Sequence, residues 1–400
     1  MIEETAMGEI VAALGTCHTP YLFTRPPDEN AQQLDQAAAA IEELGKALDE
    51  SKPDVILMFG ADHVETFSVT CVPSFAIVAS SRAIAKFAGR EHNLPIHREM
   101  AEDILNKLVV EHNFDMAYSE DAELGHAFSI PFEFLIGKRN IPVVPFFTNV
   151  YVPPLPTPRR CEALGKAIAE IVKGRKERVA IVASGGMSHF PGTTKYTSPE
   201  FDFDRWLISQ MEVGNTDALL NMTGTQLDEV GNTEMLNWAV MFGAIGAQDG
   251  ELIDYLPTWH HGLAMMRFLP HRERKHAPTK VEKQYGGFQF KDAGYMFYKH
   301  PPAEAYALNK LLFESRHSQQ LRDRIIDDFE NVANEYGLEG QHRKAARAMI
   351  DVAKGPLVSD HVKPLADAGC HPLQALMALH VIFSTTHKPR AQQMAGAGKH

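Results

Sequence analysis

Three separate runs of apolar residues in this chain each end at a histidine, namely His18, His63 and His189. The runs occupy residues 9–17, 55–62 and 179–188. Short apolar runs bounded by glycine, with helical patterns between them, are typical of strands in a mostly parallel sheet. Such sheets bind their ligands beyond the carboxyl ends of the strands. The pattern therefore predicts three imidazoles at one edge of a sheet, an arrangement suited to a metal ion.

A single histidine at the end of a strand is more often a surface or hydrogen-bonded residue than a metal ligand. The chain contains 19 histidines, so this alternative stays open for each of the three taken alone. Their equivalent positions favour a metal site. The residues around them decide between metal ligands and ordinary surface or hydrogen-bonded histidines.

Composition limits the classes of partner. The 400 residues are 44% hydrophobic, enough for a large core and more than one domain, and the net charge of −12 argues against nucleic acid or an anionic membrane. No apolar run is long enough to span a bilayer, and residues 1–4 lack a basic leader. The four cysteines form no C-x-x-C pair, which argues against a zinc knuckle. We expect a soluble cytoplasmic protein.

The segment pattern predicts an α/β fold followed by a helical domain. Strand-like and helix-like segments alternate up to about residue 270, with helices expected at 34–48, 100–110 and 163–172. A strand is expected at 141–147, and its prolines favour an edge or a strand start. Further helices are expected at 321–336, at 343–353 and from His371-Pro372 onwards.

This pattern gives the following division of the chain. We expect an α/β domain with a mostly parallel central sheet flanked by helices at 1–275, and a polar linker at 276–300. An all-α domain is expected at 301–390 and a frayed tail at 391–400.

Glu234 is the candidate for an anionic ligand. It lies at the start of an apolar helix, for which Asn232 or Thr233 is the expected N-cap. Two imidazoles and one carboxylate, with other coordination positions open, suit non-heme Fe(II) oxygen chemistry. The alternative is that Glu234 only complements the helix dipole in the first turn.

Five motifs, in this order, resemble those of class III extradiol ring-cleavage dioxygenases. They are GTCHTP at 15–20, GADH at 60–63, GHAFSIP at 125–131, GGMSH at 185–189 and NTEMLNW at 232–238. The likeness is to the catalytic β subunit of protocatechuate 4,5-dioxygenase. Residues 306–338 resemble the small helical α subunit of that enzyme, fused here as in gallate dioxygenases.

The resemblance implies roles for individual residues. His18, His63 and Glu234 would bind Fe(II), His189 would be the acid/base, and His126 would hydrogen-bond substrate or oxygen. The helical domain would act as a lid over the active site. The implied reaction inserts O2 into a small vicinally hydroxylated aromatic ring and opens it to a semialdehyde-type product. A homo-oligomer, a dimer, is expected.

The residues that would set specificity depart from the family pattern. Segment 256–263 contributes Trp259, a flat apolar wall, and His260 and His261, which offer hydrogen bonds. Thr19, beside His18, is a further candidate contact. This lining favours a ring with a neutral polar edge, such as 3-hydroxy-4-pyridone, over a carboxylated catechol, since a carboxylate usually calls for arginine. A protonated histidine would also hold a carboxylate, so a carboxylated catechol stays an alternative. The alternatives for the whole chain are a non-oxidative metal-dependent relative and a metal-free binding protein on the same fold.

Overall fold

The computed structural model describes residues 7–271, 290–291, 293–355 and 359–386. Within these ranges the strands are β1 (Glu9–Thr16), β2 (Val55–Ala61), β3 (Phe75–Val78), β4 (Ala83–Phe87), β5 (Arg90–Leu94), β6 (Ala117–Ser119), β7 (Glu123–Leu124), β8 (Val143–Thr148), β9 (Arg178–Ser184), β10 (Glu251–Pro257) and β11 (Gly262–Leu269).

The main sheet has eight strands in the order β10-β11-β1-β9-β2-β8-β3-β6. Its central strands β1, β9, β2 and β8 are parallel to one another, whereas β10 and β11 are antiparallel additions at one side. All residues of β2 and β8 are buried, because helices cover both faces of the parallel part. Strands β5, β4 and β7 form a smaller sheet. The predicted fold class is confirmed.

The α-helices of the described residues are α1 (Tyr21–Thr24), α2 (Ala31–Ser51), α3 (Arg98–Val110), α4 (His126–Pro131), α5 (Pro158–Lys173), α6 (Phe201–Glu212), α7 (Asp217–Leu220), α8 (Gly224–Glu229), α9 (Met235–Ile245), α10 (Tyr306–His317), α11 (Gln319–Asp327), α12 (Phe329–Glu335), α13 (Gly340–Ala346), α14 (Ala348–Lys354), α15 (Val362–Asp367) and α16 (Pro372–Thr386). A π-helix follows α4 at Phe132–Ile136, and short 3-10 helices lie at Ala303–Ala305 and Ser359–His361.

The helices between the first strands form where the sequence predicts them. The expected helices at 34–48, 100–110 and 163–172 lie inside α2, α3 and α5. Asn30 caps α2 by accepting two backbone N–H groups. Thr157 caps α5 by accepting one, from Arg160, with Pro158 at the first helical position. Each helix then buries one apolar face.

The strand predicted at 141–147 is β8. Of the two places expected for its prolines, the strand start is observed, since Pro142 directly precedes Val143, and the edge is wrong. β8 is an interior strand between β2 and β3. The N–H of Val143 points away from β2, because it donates to the carbonyl of Pro95. Pro145 comes two residues later, so its nitrogen faces the same side of the strand as the N–H of Val143, towards β3. The pairing with β3 ends at Ile77 opposite Phe146, one residue before it would reach Pro145. The proline therefore costs no ladder hydrogen bond.

The chain divides into two compact units. The first comprises the residues up to Thr66, Pro73–Phe190 and Thr197–Phe297, and the second comprises Phe67–Val72, Pro191–Tyr196 and the residues from Tyr298 onwards. Most of the predicted linker at 276–300 and the whole predicted tail at 391–400 lie outside the described residues.

The second unit is helical, with more breaks than the sequence predicts. The helix expected at 321–336 is two helices, α11 and α12, separated at Asp328, and the one expected at 343–353 is α13 and α14, separated at Arg347. Their apolar residues nevertheless share one buried core, so the predicted faces are kept across the breaks. In the part of the chain that the structure describes, no helix combines the length and the apolar character needed to cross a bilayer.

Candidate metal centre and active site

The carboxyl ends of four neighbouring parallel strands carry the polar cluster. His18 follows β1, His63 follows β2, Tyr151 follows β8 and His189 follows β9. Because β1, β9, β2 and β8 are adjacent in the sheet, these side chains meet at one edge. All four are at least nine-tenths buried.

Three donor atoms of this cluster form a small triangle. Nε2 of His18 lies 3.4 Å from Nε2 of His63, and Oε1 of Glu234 lies 3.2 Å from the first and 3.0 Å from the second. Ligand atoms about 2.1 Å from one ion are about 3.0 Å apart when their bonds to it are perpendicular, and about 3.4 Å apart at tetrahedral angles. The triangle therefore has the dimensions of one face of a metal coordination sphere.

Glu234 reaches this point because the start of α9 is fixed against the sheet. The indole N–H of Trp238 donates to the carbonyl of Gly185 at 3.0 Å, and Asn237 Nδ2 donates to the carbonyl of Ser184 at 2.8 Å. A Cβ on Gly15 of β1 would come within 2.3 Å of the Trp238 ring, so only glycine admits this close approach.

The expected N-cap of this helix is wrong. The cap position is Glu234 itself, and its side chain makes no capping bond. Asn232 Nδ2 instead donates to Asp204 at 3.0 Å. The Glu234 carboxylate is committed to the cluster: Oε2 accepts the N–H of Gly186 at 2.8 Å, and Oε1 faces the two histidines.

The hydrogen bonds of Ser184 fix the tautomer of His18. The Ser184 hydroxyl donates to the carbonyl of Ala127 at 2.7 Å, which frees its oxygen to accept from Nδ1 of His18 at 2.9 Å. That carbonyl is available because the residue four positions later, Pro131, has no N–H to donate. His18 therefore carries its proton on Nδ1, and Nε2 presents a lone pair to the cluster.

His126, at the start of α4, lies beside the two histidines. Its ring centroid is 4.0 Å from that of His63 and 5.4 Å from that of His18. Donor atoms of these three histidines lie within 4.8 Å of one another, so they form a second set able to hold a metal. Glu65 approaches Nδ1 of His126 at 3.5 Å.

His189 and His261 are stacked at the other side of the cluster. Their ring centroids are 4.0 Å apart with an interplanar angle of 18°. Nδ1 of His189 donates to the carbonyl of Met187 at 3.0 Å, so Nε2 faces the cluster, 3.7 Å from Oε1 of Glu234. Nε2 of His261 is buried and has no hydrogen-bond partner among the described residues.

Trp259 and His260 are directed to a different partner. Residues 258–261 form the turn between β10 and β11. The indole N–H of Trp259 donates to Oε1 of Glu29 at 3.0 Å, and Nε2 of His260 lies 3.3 Å from the same oxygen. The Trp259 ring stacks on His260 and remains 43% exposed. Thr19, beside His18, is buried.

Burial favours the neutral form of three imidazoles in the cluster, and the surroundings of Glu234 favour its carboxylate form. Burial, assisted by nearby His126, lowers the pKa of His63 to about 3. Burial also lowers the pKa of His189, and it holds the pKa of His261 well below its usual range. Burial alone would raise the pKa of Glu234, but the adjacent His18 and His189 hold it well below the ordinary value. These are the protonation states that metal binding requires.

Asp204 on α6 supports the loop that carries His189. Its buried carboxylate accepts the N–H of Ser188 at 3.1 Å, the side-chain amide of Asn232 at 3.0 Å and the hydroxyl of Tyr255 at 2.8 Å. Burial raises the pKa of Asp204 to about 7 despite these donors. One carboxylate therefore ties together the segments before His189 and before Glu234.

The structure thus brings together His18, His63, His126, His189, His261 and Glu234, and it places Trp259 and His260 against Glu29. Tyr151, Ser184 and Glu65 were not predicted from the sequence. Tyr151 follows a buried strand, as the three histidines do, and the rule that placed them at strand ends would have found it. No sequence signal marks Ser184, since its role depends on a carbonyl 57 residues away.

Residues 12–264 match the family described as the catalytic LigB subunit of aromatic ring-opening dioxygenase, and the chain belongs to this family. The resemblance expected from the motifs is confirmed for these residues. The likeness of residues 306–338 to the small helical subunit lies beyond the matched range and stays a prediction.

Two curated relatives share a name. The 2,3-dihydroxyphenylpropionate/2,3-dihydroxicinnamic acid 1,2-dioxygenase of Klebsiella pneumoniae is 31% identical over 175 residues, which are 44% of this chain and 55% of the relative. That of Cupriavidus necator is 25% identical over 305 residues, covering 63% of this chain and 96% of the relative. The first match thus spans about half of the relative's length. A solved structure of an uncharacterized protein from Escherichia coli K12 covers 64% of this chain and 99% of its own, with 13% identity and a TM-score of 0.45.

Proposed function

We propose that this protein is an Fe(II)-dependent extradiol dioxygenase that opens a small vicinally hydroxylated aromatic ring. The proposal is carried by the triangle of His18 Nε2, His63 Nε2 and Glu234 Oε1, with sides of 3.0 to 3.4 Å. Membership of the family of catalytic subunits of aromatic ring-opening dioxygenases supports the same activity.

The donor set fits a divalent iron ion. Two imidazoles and one carboxylate on one face, with the other positions open, is the arrangement typical of non-heme Fe(II) oxygenases. The hydrogen bond to Ser184 keeps the Nε2 lone pair of His18 directed at the site. A buried group of imidazoles and a carboxylate is costly unless something organises it, and an ion at this point would do so.

We assign the third ligand to Glu234 and not to His126. The carboxylate supplies the anionic donor that the iron set requires, and Gly186 occupies its second oxygen, so that one oxygen faces the histidines. His126 then remains to donate a hydrogen bond to an oxygen of the substrate or of O2.

Bound at this triangle, Fe(II) would act as a Lewis acid that lowers the pKa of a substrate hydroxyl, and it would offer a position for O2. His189 accepts the proton of the second hydroxyl at Nε2 and later returns one, since its Nδ1 proton is held by the Met187 carbonyl. His261 stacks on His189 and so keeps that imidazole in one plane.

The expected substrate has a neutral polar edge, as in a hydroxypyridone or a catechol without a carboxylate. The buried Nε2 of His261 offers one hydrogen bond to a ring substituent. Burial keeps His261 uncharged, and a neutral imidazole is a weaker partner for a carboxylate than arginine is. We propose Thr19, Trp259 and His260 as further substrate contacts. Trp259 and His260 would contact the substrate from the turn at 258–261, where Glu29 holds both side chains.

The first experiment is anaerobic loading with Fe(II), followed by oxygen uptake with a panel of catechols and hydroxypyridones. The parent protein should bind one iron per chain and consume O2. Glu234→Gln should lose iron and turnover together, because it removes the anionic donor. Glu212→Gln, which alters a buried glutamate of α6, is the matched control and should keep both. A Glu234→Gln protein with full iron and activity would refute the ligand assignment.

The second experiment compares kcat/KM for 3-hydroxy-4-pyridone, protocatechuate, gallate and 2,3-dihydroxyphenylpropionate on the iron-loaded enzyme. We expect the pyridone to be preferred. A tenfold preference for any of the carboxylated rings, about 1.4 kcal/mol of transition-state discrimination, would overturn the proposed substrate class. Light scattering on the same preparation tests the expected dimer, and cell fractionation tests the expected cytoplasmic location.

A further inference from the structure

Tyr151 joins the proposed metal ligand to the proposed base. It follows β8, and its side chain is 1% exposed. Its hydroxyl lies 2.7 Å from Oε1 of Glu234 and 3.0 Å from Nε2 of His189. The ring lies beside His63, with centroids 5.2 Å apart. One phenol therefore contacts three residues of the cluster, although none of the five sequence motifs contains it.

The hydroxyl completes the immobilisation of the Glu234 carboxylate. Oε2 is already held by the N–H of Gly186 at 2.8 Å. The Tyr151 O–H is a donor to Oε1 from outside the triangle. With a donor on each oxygen the carboxylate cannot rotate about its terminal bond, and the remaining lone pair of Oε1 is directed at His18 and His63.

The same hydroxyl fixes the place of His189. Nδ1 of His189 donates to the Met187 carbonyl, so that Nε2 is the nitrogen that faces Tyr151. The hydroxyl has one proton, which it donates to Glu234, so its oxygen accepts a hydrogen bond from Nε2 when His189 carries a proton on both nitrogens. The imidazole is thus positioned by a backbone carbonyl at Nδ1 and by the phenol oxygen at Nε2. Ligand and base share a single anchor, and their separation is set by it.

A buried tyrosine hydroxyl needs a partner, but a backbone carbonyl would be enough. Tyr298, which is equally buried, donates to the carbonyl of Pro191 at 3.1 Å. Tyr151 instead bonds to two side chains to which the proposed function gives chemical roles. We propose that Tyr151 is a positioning residue of this centre, which orients Glu234 for the metal and His189 for the substrate. The inference rests on the proposed function.

The test replaces the hydroxyl and keeps the ring. In Tyr151→Phe the carboxylate loses one of its two outer donors, and His189 loses its contact at Nε2. Loss of such an outer partner typically lowers metal affinity or activity by about 10- to 100-fold. The matched control is Tyr336→Phe in the helical unit, where the hydroxyl also donates to a glutamate, Glu314.

The readouts are Co(II) affinity by competition with a chelator, the visible spectrum of bound Co(II), and the separate kcat and KM of the iron-loaded enzyme. We expect Tyr151→Phe to bind Co(II) about tenfold or more weakly, with shifted bands and with kcat reduced more than KM. Tyr336→Phe should match the parent, and thermal unfolding verifies that both variants fold.

Each contrary result has a distinct meaning. Parent-like affinity, spectrum and kcat in Tyr151→Phe would overturn the inference and leave the proposed function intact. Equal losses in both variants would also overturn it, since the effect would then not belong to this centre. If the parent itself bound no Co(II) or Fe(II), the proposed function would fail and this inference with it.

Discussion

Replacing Ser184 with alanine removes one hydroxyl that satisfies two buried groups. Ser184 is fully buried, accepts from Nδ1 of His18 at 2.9 Å and donates to the Ala127 carbonyl at 2.7 Å. The variant leaves an N–H and a carbonyl unpaired in the interior. Each such group costs about 1 to 3 kcal/mol, so we expect the free energy of unfolding to fall by about 2 to 6 kcal/mol.

The same substitution should weaken metal binding beyond its effect on stability. Without the serine oxygen, nothing in the described arrangement prefers the proton of His18 on Nδ1, and a proton on Nε2 would occupy the lone pair aimed at the metal. Outer partners of ligating histidines are typically worth about 10- to 100-fold in metal affinity. We expect Ser184→Ala to lose Co(II) or Fe(II) affinity within this range.

Ser129 provides the matched control. It is also fully buried, and its hydroxyl has no hydrogen-bond partner among the described residues. Ser129→Ala therefore removes a hydroxyl without stranding a partner and should be neutral or slightly stabilising. Urea unfolding and chelator competition on both variants test the reasoning. It is wrong if Ser184→Ala keeps the stability and metal affinity of the parent, or if Ser129→Ala loses as much.

Two further predictions concern His189 and Asp204. His189→Phe should keep the metal, as measured by metal analysis, and lose turnover by about 10²- to 10⁴-fold, because it removes a general acid/base; unchanged turnover would exclude it from the mechanism. The folded-state pKa of Asp204, about 7, is above the ordinary 3.8, so the folded protein holds a proton that the unfolded chain releases, and stability falls as pH rises between these values. At about 1.4 kcal/mol per unit this amounts to about 4 kcal/mol, and Asp204→Asn should abolish it. Equal pH slopes of unfolding free energy in the two proteins would contradict the prediction.

The strand ends that carry the site were predictable from sequence, because apolar runs closed by glycine mark buried parallel strands. That rule identifies His18, His63 and His189 without any contact information. Glu234 was selected as the candidate anionic ligand from its place at the start of an apolar helix. The residue expected to cap that helix was wrong. Asn232, the expected cap, is drawn away by a buried carboxylate on another element, Asp204.

What the sequence did not reveal depends on partners distant along the chain. Ser184 acts through a carbonyl that Pro131 leaves without its helical donor. The helix predicted at 321–336 keeps its apolar face across the break at Asp328, so periodicity alone did not show the break. The turn at 258–261 directs Trp259 and His260 to Glu29, a residue more than 200 positions earlier.

The order of strands in the sheet decides where the donors can meet. β9 lies between β1 and β2, so the strands that precede His18 and His63 are about 9.6 Å apart. The two imidazoles reach towards each other past the end of β9, which brings their Nε2 atoms to 3.4 Å. A one-residue slip of β1 against β9 would turn His18 to the opposite face. An ion held by these donors would therefore be lost if the central strands paired in another register. Metal retention would indicate that β1, β9 and β2 are correctly paired.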